Sequence, residues 1–130
     1  MIEILPMEDK AQEQELLSQV VAAGPEARVL SMREKGAVLG WTAVELAEST
    51  LRILALRAGN YDFSRQPQGD EIFILDSLMR SAASYGETFG ADKIETAFPD
   101  FFGFFKARGF DFDEFHAFTP MSTIVKYKFH

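Results

Sequence analysis

The sequence predicts a mixed α+β fold with a mostly antiparallel central sheet, and three observations predict it. At Arg28 the pattern changes from helical to alternating, and it stays alternating across a turn signal, as an antiparallel meander does. A strand from Thr50 to Ala58 is then followed by a loop, one long amphipathic helix and another strand. That order is a β-α-β crossover, so the two strands should run parallel. Finally, 130 residues, 47% of them hydrophobic, with no repeat or long linker, fit a single domain spanning residues 1–130.

Each element has a local reason. Ile2 to Leu5 reads as a short strand closed by Pro6. From about Met7 to Ala23 the spacing is helical, with Leu16, Leu17, Val20 and Val21 on one face and Glu13, Gln14, Ser18 and Gln19 elsewhere; Gly24-Pro25 stops it. Arg28 to Arg33 is a strand, Glu34-Lys35-Gly36 a turn, and Ala37 to Leu46 its hairpin partner. Thr50 to Ala58 supplies the third strand, and the Gly- and Pro-containing stretch Gly59 to Gly69 is a loop. A helix capped at Asp70 or a neighbour follows, with Ile72, Leu75, Met79, Ala82, Ala83, Gly86 and Phe89 recurring at three and four residues. Gly90 closes that helix, and Asp92 to Phe98 is the parallel strand. Pro99 to about Arg108 forms a second, short helix ended by Gly109. Two strands close the chain: Phe110 to Phe118, with a bulge or break near Asp113-Glu114, and Met121 to Phe129, which alternates throughout.

Composition excludes several classes. A net charge of −7 argues against nucleic acid or an anionic membrane as partner, because both are bound through clustered Lys and Arg. The absence of Cys removes disulfides and thiolate zinc sites, and the two separated His offer no metal spacing. No apolar run reaches the roughly 18 residues needed to span a bilayer. The N-terminus lacks a signal-peptide pattern, so a cytoplasmic location is expected. Ten of the 13 Phe fall between Phe98 and Phe129. Four of them, Phe101, Phe102, Phe104 and Phe105, occupy nearly every face of one short helix. They therefore read either as core or as a pocket lining or dimer seam.

Two segments carry a family resemblance. Leu78-Met79-Arg80-Ser81-Ala82-Ala83-Ser84-Tyr85-Gly86-Glu87-Thr88-Phe89-Gly90 resembles the central helix of the GNAT acetyltransferases, and Phe104-Phe105-Lys106-Ala107-Arg108-Gly109-Phe110 resembles that family's "FYEKLGF" segment. The resemblance spans nearly the whole chain. It implies a GNAT-like sheet with helices on both faces, and transfer of an acyl group to a small-molecule or protein amine, with acetyl-CoA or another acyl-CoA as donor. It also implies that the backbone of Leu54, Ala55, Leu56 and Arg57 pairs with pantetheine. The pyrophosphate would lie on a degenerate loop opening the central helix. Alignment by Leu78-Met79 puts Asp70, Phe73 and Leu75 at the motif positions. The frame Gln66 to Glu71, which needs a helix about one turn longer, matches the first two positions and not the last. It gives Gln66, Gly69, Asp70 and Glu71 as contacts and Arg57, Arg65 and Arg80 as nearby cations. Free N–H groups and the helix dipole attract phosphate there, whereas Asp70, Glu71 and Asp76 bring negative charge. Asp76 and Arg80 are spaced for an i,i+4 ion pair.

For the family's general base, Glu45, Glu48 and Glu95 are candidates by position, with Glu45 and Glu95 foremost. The family's acidic Tyr is replaced by Phe105, and the Asn that often precedes that helix by Phe98. A phenyl ring donates no proton. A second reading therefore stands beside the first, a non-catalytic binding or interaction module that uses the Phe-rich C-terminal half. A homodimer stays open under either.

Overall fold

The computed structural model describes residues 2–20, 23–59, 61, 67–96, 102–113 and 116–124. Among the described residues, seven strands form one sheet in the order β1-β2-β3-β4-β5-β7-β6. β1 (Ile2–Pro6), β2 (Arg28–Glu34), β3 (Ala37–Ala47) and β4 (Thr50–Ala58) are successive antiparallel neighbours. Lys35 and Gly36 join β2 to β3, both with positive φ, the turn whose twist matches a right-twisted hairpin. Glu48 (φ 57°) and Ser49 make the next turn, so Glu48 lies in a tight turn and not on a strand.

β4 and β5 (Lys93–Thr96) are parallel, linked by the crossover helix α2 (Asp70–Thr88). The described part of β5 is shorter than the strand read from sequence, and Ala97 and Phe98 lie outside the described residues. β6 (Asp111–Phe112) and β7 (Ala117–Pro120) complete the sheet as an antiparallel hairpin. The break expected near Asp113 is the turn of that hairpin. The Asp113 N–H donates to the His116 carbonyl at 2.9 Å, and the His116 N–H returns to Asp113 Oδ1 at 2.8 Å.

Alternate residues along the strands feed two cores. Leu30, Met32, Leu51, Ile53 and Leu56 pack under α2, with Leu75, Leu78, Met79, Ala82 and Ala83 as the helix's buried stripe. Val29, Ala43, Leu54 and Ala55 pack on the opposite face against Met7, Leu17 and Val20, beside α1 (Lys10–Leu17). Helices thus cover both faces, as expected. No described helix is long and apolar enough to cross a membrane.

Two boundaries differ from the sequence reading. The first helix runs only over Lys10–Leu17. Asp9 caps it by accepting the Gln12 N–H at 3.1 Å, and Met7 stays extended, its N–H donating to the Val29 carbonyl. The larger correction concerns Met121 to Phe129. Met121–Ile124 is a helical turn, α4, and residues 125–130 lie outside the described set. Met121 and Ile124 are both buried, which a three-residue helical spacing achieves and a strand, with its period of two, does not. The last described strand is instead β7. The short helix of the Phe-rich segment, α3 (Phe102–Lys106), packs by β6 and β7; Pro99 to Phe101 lie outside the described residues.

Candidate functional site

β4 pairs with β3 along its length and in parallel with β5, Thr50 to Ile53 matching Lys93 to Thr96; Ala97 and Phe98, next in sequence, lie outside the described residues. The register with β3 slips just after Ile53. Ala43 faces Ala55 and Val44 faces Ile53, so Leu54 is an extra residue in β4. Such a bulge sharpens twist and bends the strand. It also breaks the alternation. Leu54 and Ala55 both enter the α1-side core, and Leu56 returns to the α2 side.

Leu54, Ala55 and Leu56 are all nearly or fully buried, so this stretch offers a ligand its backbone and little side chain. Part of that backbone is already engaged. The Ala55 carbonyl accepts from Thr42 Oγ1 at 2.8 Å, and the Leu56 carbonyl accepts from Arg57 Nη1 at 3.1 Å. Thr96 Oγ1 donates to the Ile53 carbonyl at 3.0 Å and is buried. Arg57 is half-exposed, its guanidinium 6.0 Å from the Trp41 ring.

α2 begins at Gly69, whose φ of 50° and open surroundings suit glycine, and no side chain caps the helix. Asp70 is exposed. Glu71 folds back, its Oε1 accepting the Gln68 N–H at 3.1 Å while its own N–H donates to the Gln68 carbonyl. Gln66 and Arg65 lie outside the described residues. Arg80 is ten residues past Asp70, about 15 Å along the axis. It lines a different cavity, between α2 and β1, and it is bound to Asp76.

Asp76 gathers two arginines: Arg80 Nε at 2.9 Å, the expected i,i+4 pair, and Arg108 Nε at 2.8 Å from beyond α3. Burial pushes the Asp76 carboxyl up, but the two guanidinium groups outweigh it and hold it below its usual range. Arg108 also stacks 3.6 Å from the Phe104 ring centroid and donates to the Phe104 carbonyl. It therefore ties the Phe-rich segment to α2. Sequence spacing exposes the Arg80 partner; the Arg108 partner, 32 residues away, leaves no local trace.

The two candidate bases are brought together by a residue that sequence reading passed over. Cross-strand register places Glu45, Arg52 and Glu95 in one row over β3, β4 and β5. Arg52 reaches Glu95 Oε1 at 3.4 Å and Glu45 Oε1 at 3.8 Å. The Gly24 N–H donates to Glu45 Oε2 at 3.0 Å, and Lys93 is 4.0 Å from Glu95 Oε2. Glu95 lies beside Arg52 on β5, and Glu45 lies across Arg52 from it on β3. The visible signal was Arg52 itself, a cation between Leu51 and Ile53 on a buried strand. Phe105, at the family's Tyr position, is fully buried, edge-on to Phe104 and 4.8 Å from the Phe110 ring. Its ring is core, and Phe98 lies outside the described residues.

No family sequence model matches the chain, and no curated protein matches it by sequence. Solved structures do match by shape. The IAA acetyltransferase from Bacillus cereus superposes with a TM-score of 0.66 at 15% identity, covering 92% of this chain and 99% of that one. The ribosomal-protein-S18-alanine N-acetyltransferase from Escherichia coli gives 0.66 at 10% identity with full coverage of both chains. N-acetylglutamate synthase from Neisseria gonorrhoeae, solved with coenzyme A and N-acetyl-glutamate, gives 0.65 at 11% identity, covering 93% of this chain and 35% of that one. At such identities the shared property is architecture. With its antiparallel meander and the parallel β4–β5 pair joined by α2, the chain has the GNAT acetyltransferase fold.

Proposed function

We propose that the protein is an N-acyltransferase that moves an acetyl or other acyl group from acyl-CoA to an amine. The observation that carries this reading is the shape shared with solved acetyltransferases, together with a bulge at Leu54 in the strand that pairs in parallel with β5. The side chains of Leu54 to Leu56 are buried, so this stretch offers a ligand its backbone. Leu54 to Arg57 would hold the pantetheine arm through backbone, and the N–H groups at Gly69 and Asp70, with Gln66, would receive the pyrophosphate; the Glu71 N–H is already given to the Gln68 carbonyl. Acyl-CoA supplies an acyl group activated on sulfur. Glu95, or Glu45 one strand away, would take the amine proton, with Arg52 fixing both carboxylates. No phenol stands at Phe105, so the leaving thiolate takes its proton from water.

The helix start fits imperfectly. Asp70 stabilises the free helix through its dipole by about 0.3–1 kcal/mol, yet it opposes a bound pyrophosphate. Asp70→Asn is therefore expected to tighten acetyl-CoA binding by about two- to fivefold at low salt. Screening should shrink the gain as salt rises. Calorimetry of the two proteins across a salt series checks this.

The test of the activity is transfer itself, measured as free CoA released from acetyl-CoA over a panel of small-molecule amines and N-terminal peptides. Amine-dependent release that falls in Glu95→Gln or Glu45→Gln supports the reading. The burial of Phe105 favours a second one, a non-catalytic module of the same fold. Acetyl-CoA binding without turnover on any amine would favour that alternative, and no binding at all would overturn acyl transfer.

A further inference from the structure

A cavity of about 430 Å³ lies away from the β4–β5 pair. It is at the outer edge of the sheet, between β1, β2 and the start of α1. Arg33 enters it from β2, partly buried. Its Nε donates to Ser31 Oγ at 3.2 Å and its Nη2 to Gln12 Oε1 at 3.4 Å, both neutral acceptors. Ser31 is itself 3% exposed, so the guanidinium is seated on a buried support. Glu3 stands directly opposite Arg33 in the ladder, yet among the described residues no carboxylate lies within ion-pair distance of the guanidinium. Glu3, Glu8 and Asp9 line the same cavity; Asp9 Oδ1 accepts the Gln12 N–H, whereas the Glu3 and Glu8 carboxylates have no hydrogen-bond or ion-pair partner among the described residues. A cation and three anions thus face one hollow, and none of the carboxylates pairs with Arg33. Leu5, 56% exposed, and Pro6 add an apolar wall.

We infer that this cavity is a binding site for a free α-amino acid with an apolar side chain. Its carboxylate pairs with Arg33, where a guanidinium's planar fork suits two oxygens. Its ammonium lies toward Glu3 and Glu8, and its side chain rests on Leu5 and Pro6. The volume falls within the usual range for small-molecule sites. β2 is two strands from β4, about 10 Å, so the site is separate from the acyl-transfer centre and does not depend on that activity.

The test is binding to the full chain without acyl-CoA. L-leucine is titrated by calorimetry or amide chemical shifts, beside 4-methylpentanoate, which lacks the amine, and isoamylamine, which lacks the carboxylate. L-leucine is expected to bind more tightly than either analogue. Arg33→Gln is expected to weaken it by about tenfold or more, with Arg33→Lys recovering part of the loss. Glu8→Gln, at an exposed position, is expected to narrow the gap between leucine and 4-methylpentanoate while leaving the fold intact. That comparison and the analogue series on the unaltered chain decide the matter even if Arg33→Gln fails to fold. The inference is overturned if leucine perturbs nothing up to its solubility limit. It is also overturned if isoamylamine binds as well as leucine, or if folded Arg33→Gln binds leucine undiminished.

Discussion

Gly40→Ala is expected to be among the most damaging single-methyl changes in this protein. A Cβ on Gly40 would stand 2.5 Å from the Arg57 carbonyl oxygen, 2.7 Å from Ile74 Cγ2 and 3.1 Å from Leu78 Cδ1. Gly40 pairs with Ala58 across the β3–β4 ladder, so the carbonyl cannot retreat unless those strands part. The backbone of Gly40 is ordinary, so the cost is steric and not conformational. Overpacking usually costs about 1–3 kcal/mol, and contact with backbone belongs at the upper end. For a domain of this size that corresponds to a fall in Tm of roughly 10 °C. The displaced element is the β4 stretch ending at Arg57, so acetyl-CoA binding should weaken in whatever fraction stays folded. Thermal melting and calorimetry of the variant give both readouts. An unchanged Tm would mean that α2 does not sit as close to β3 as described.

Glu13→Ala is expected to cost about 2–3 kcal/mol, and the loss should depend on pH. Glu13 is 2% exposed, and its Oε2 accepts from the Val29 N–H and from Arg28 Nε, each at 2.9 Å, with Lys10 3.6 Å from Oε1. Removing the carboxylate strands the buried Val29 donor, whereas Arg28, partly exposed, returns to water. Burial pushes the Glu13 carboxyl up. The Val29 N–H, the Arg28 hydrogen bond and the charges of Arg28 and Lys10 outweigh burial, and the net shift is downward. A depressed folded value means that the contribution is present above the unfolded pKa and disappears as pH falls through the folded one. Urea unfolding should therefore separate the unaltered protein from Glu13→Ala widely at neutral pH and bring them closer in acid. A gap that stays constant, or widens, toward low pH would contradict this role.

These two residues also mark how far sequence reaches. The meander was legible because the Lys35-Gly36 turn and the alternation on each side specify a hairpin on their own. α2 was legible because its buried residues repeat at helical spacing over nineteen positions. Glu13 was not, because in Lys10–Leu17 it is one polar residue among several, and only the docking of α1 on β2 turns it inward. Met121 to Phe129 misled because strict alternation is compatible with a strand, while the burial of Met121 and Ile124 is decided by packing against the rest of the core. In the candidate site, the parallel pairing of β4 with β5 followed from element order. The bulge at Leu54 did not, since a one-residue slip in register leaves the composition of β4 unchanged. Glu45 and Glu95 were visible as carboxylates near the centre of the sheet. Their common partner Arg52 required the three-strand register.

The most direct test of the account is an amide chemical-shift titration of the isotopically labelled protein with CoA. The largest perturbations are expected at Leu54 to Arg57 and at Gly69 to Ile72, with Glu95 and Thr96 moving less. They should be weaker at high salt and unaffected by leucine in the outer cavity. Perturbations absent from both β4 and the start of α2, at CoA concentrations that saturate ordinary acyltransferases, would contradict acyl-CoA binding beside β4 and the start of α2, and with it the proposed function.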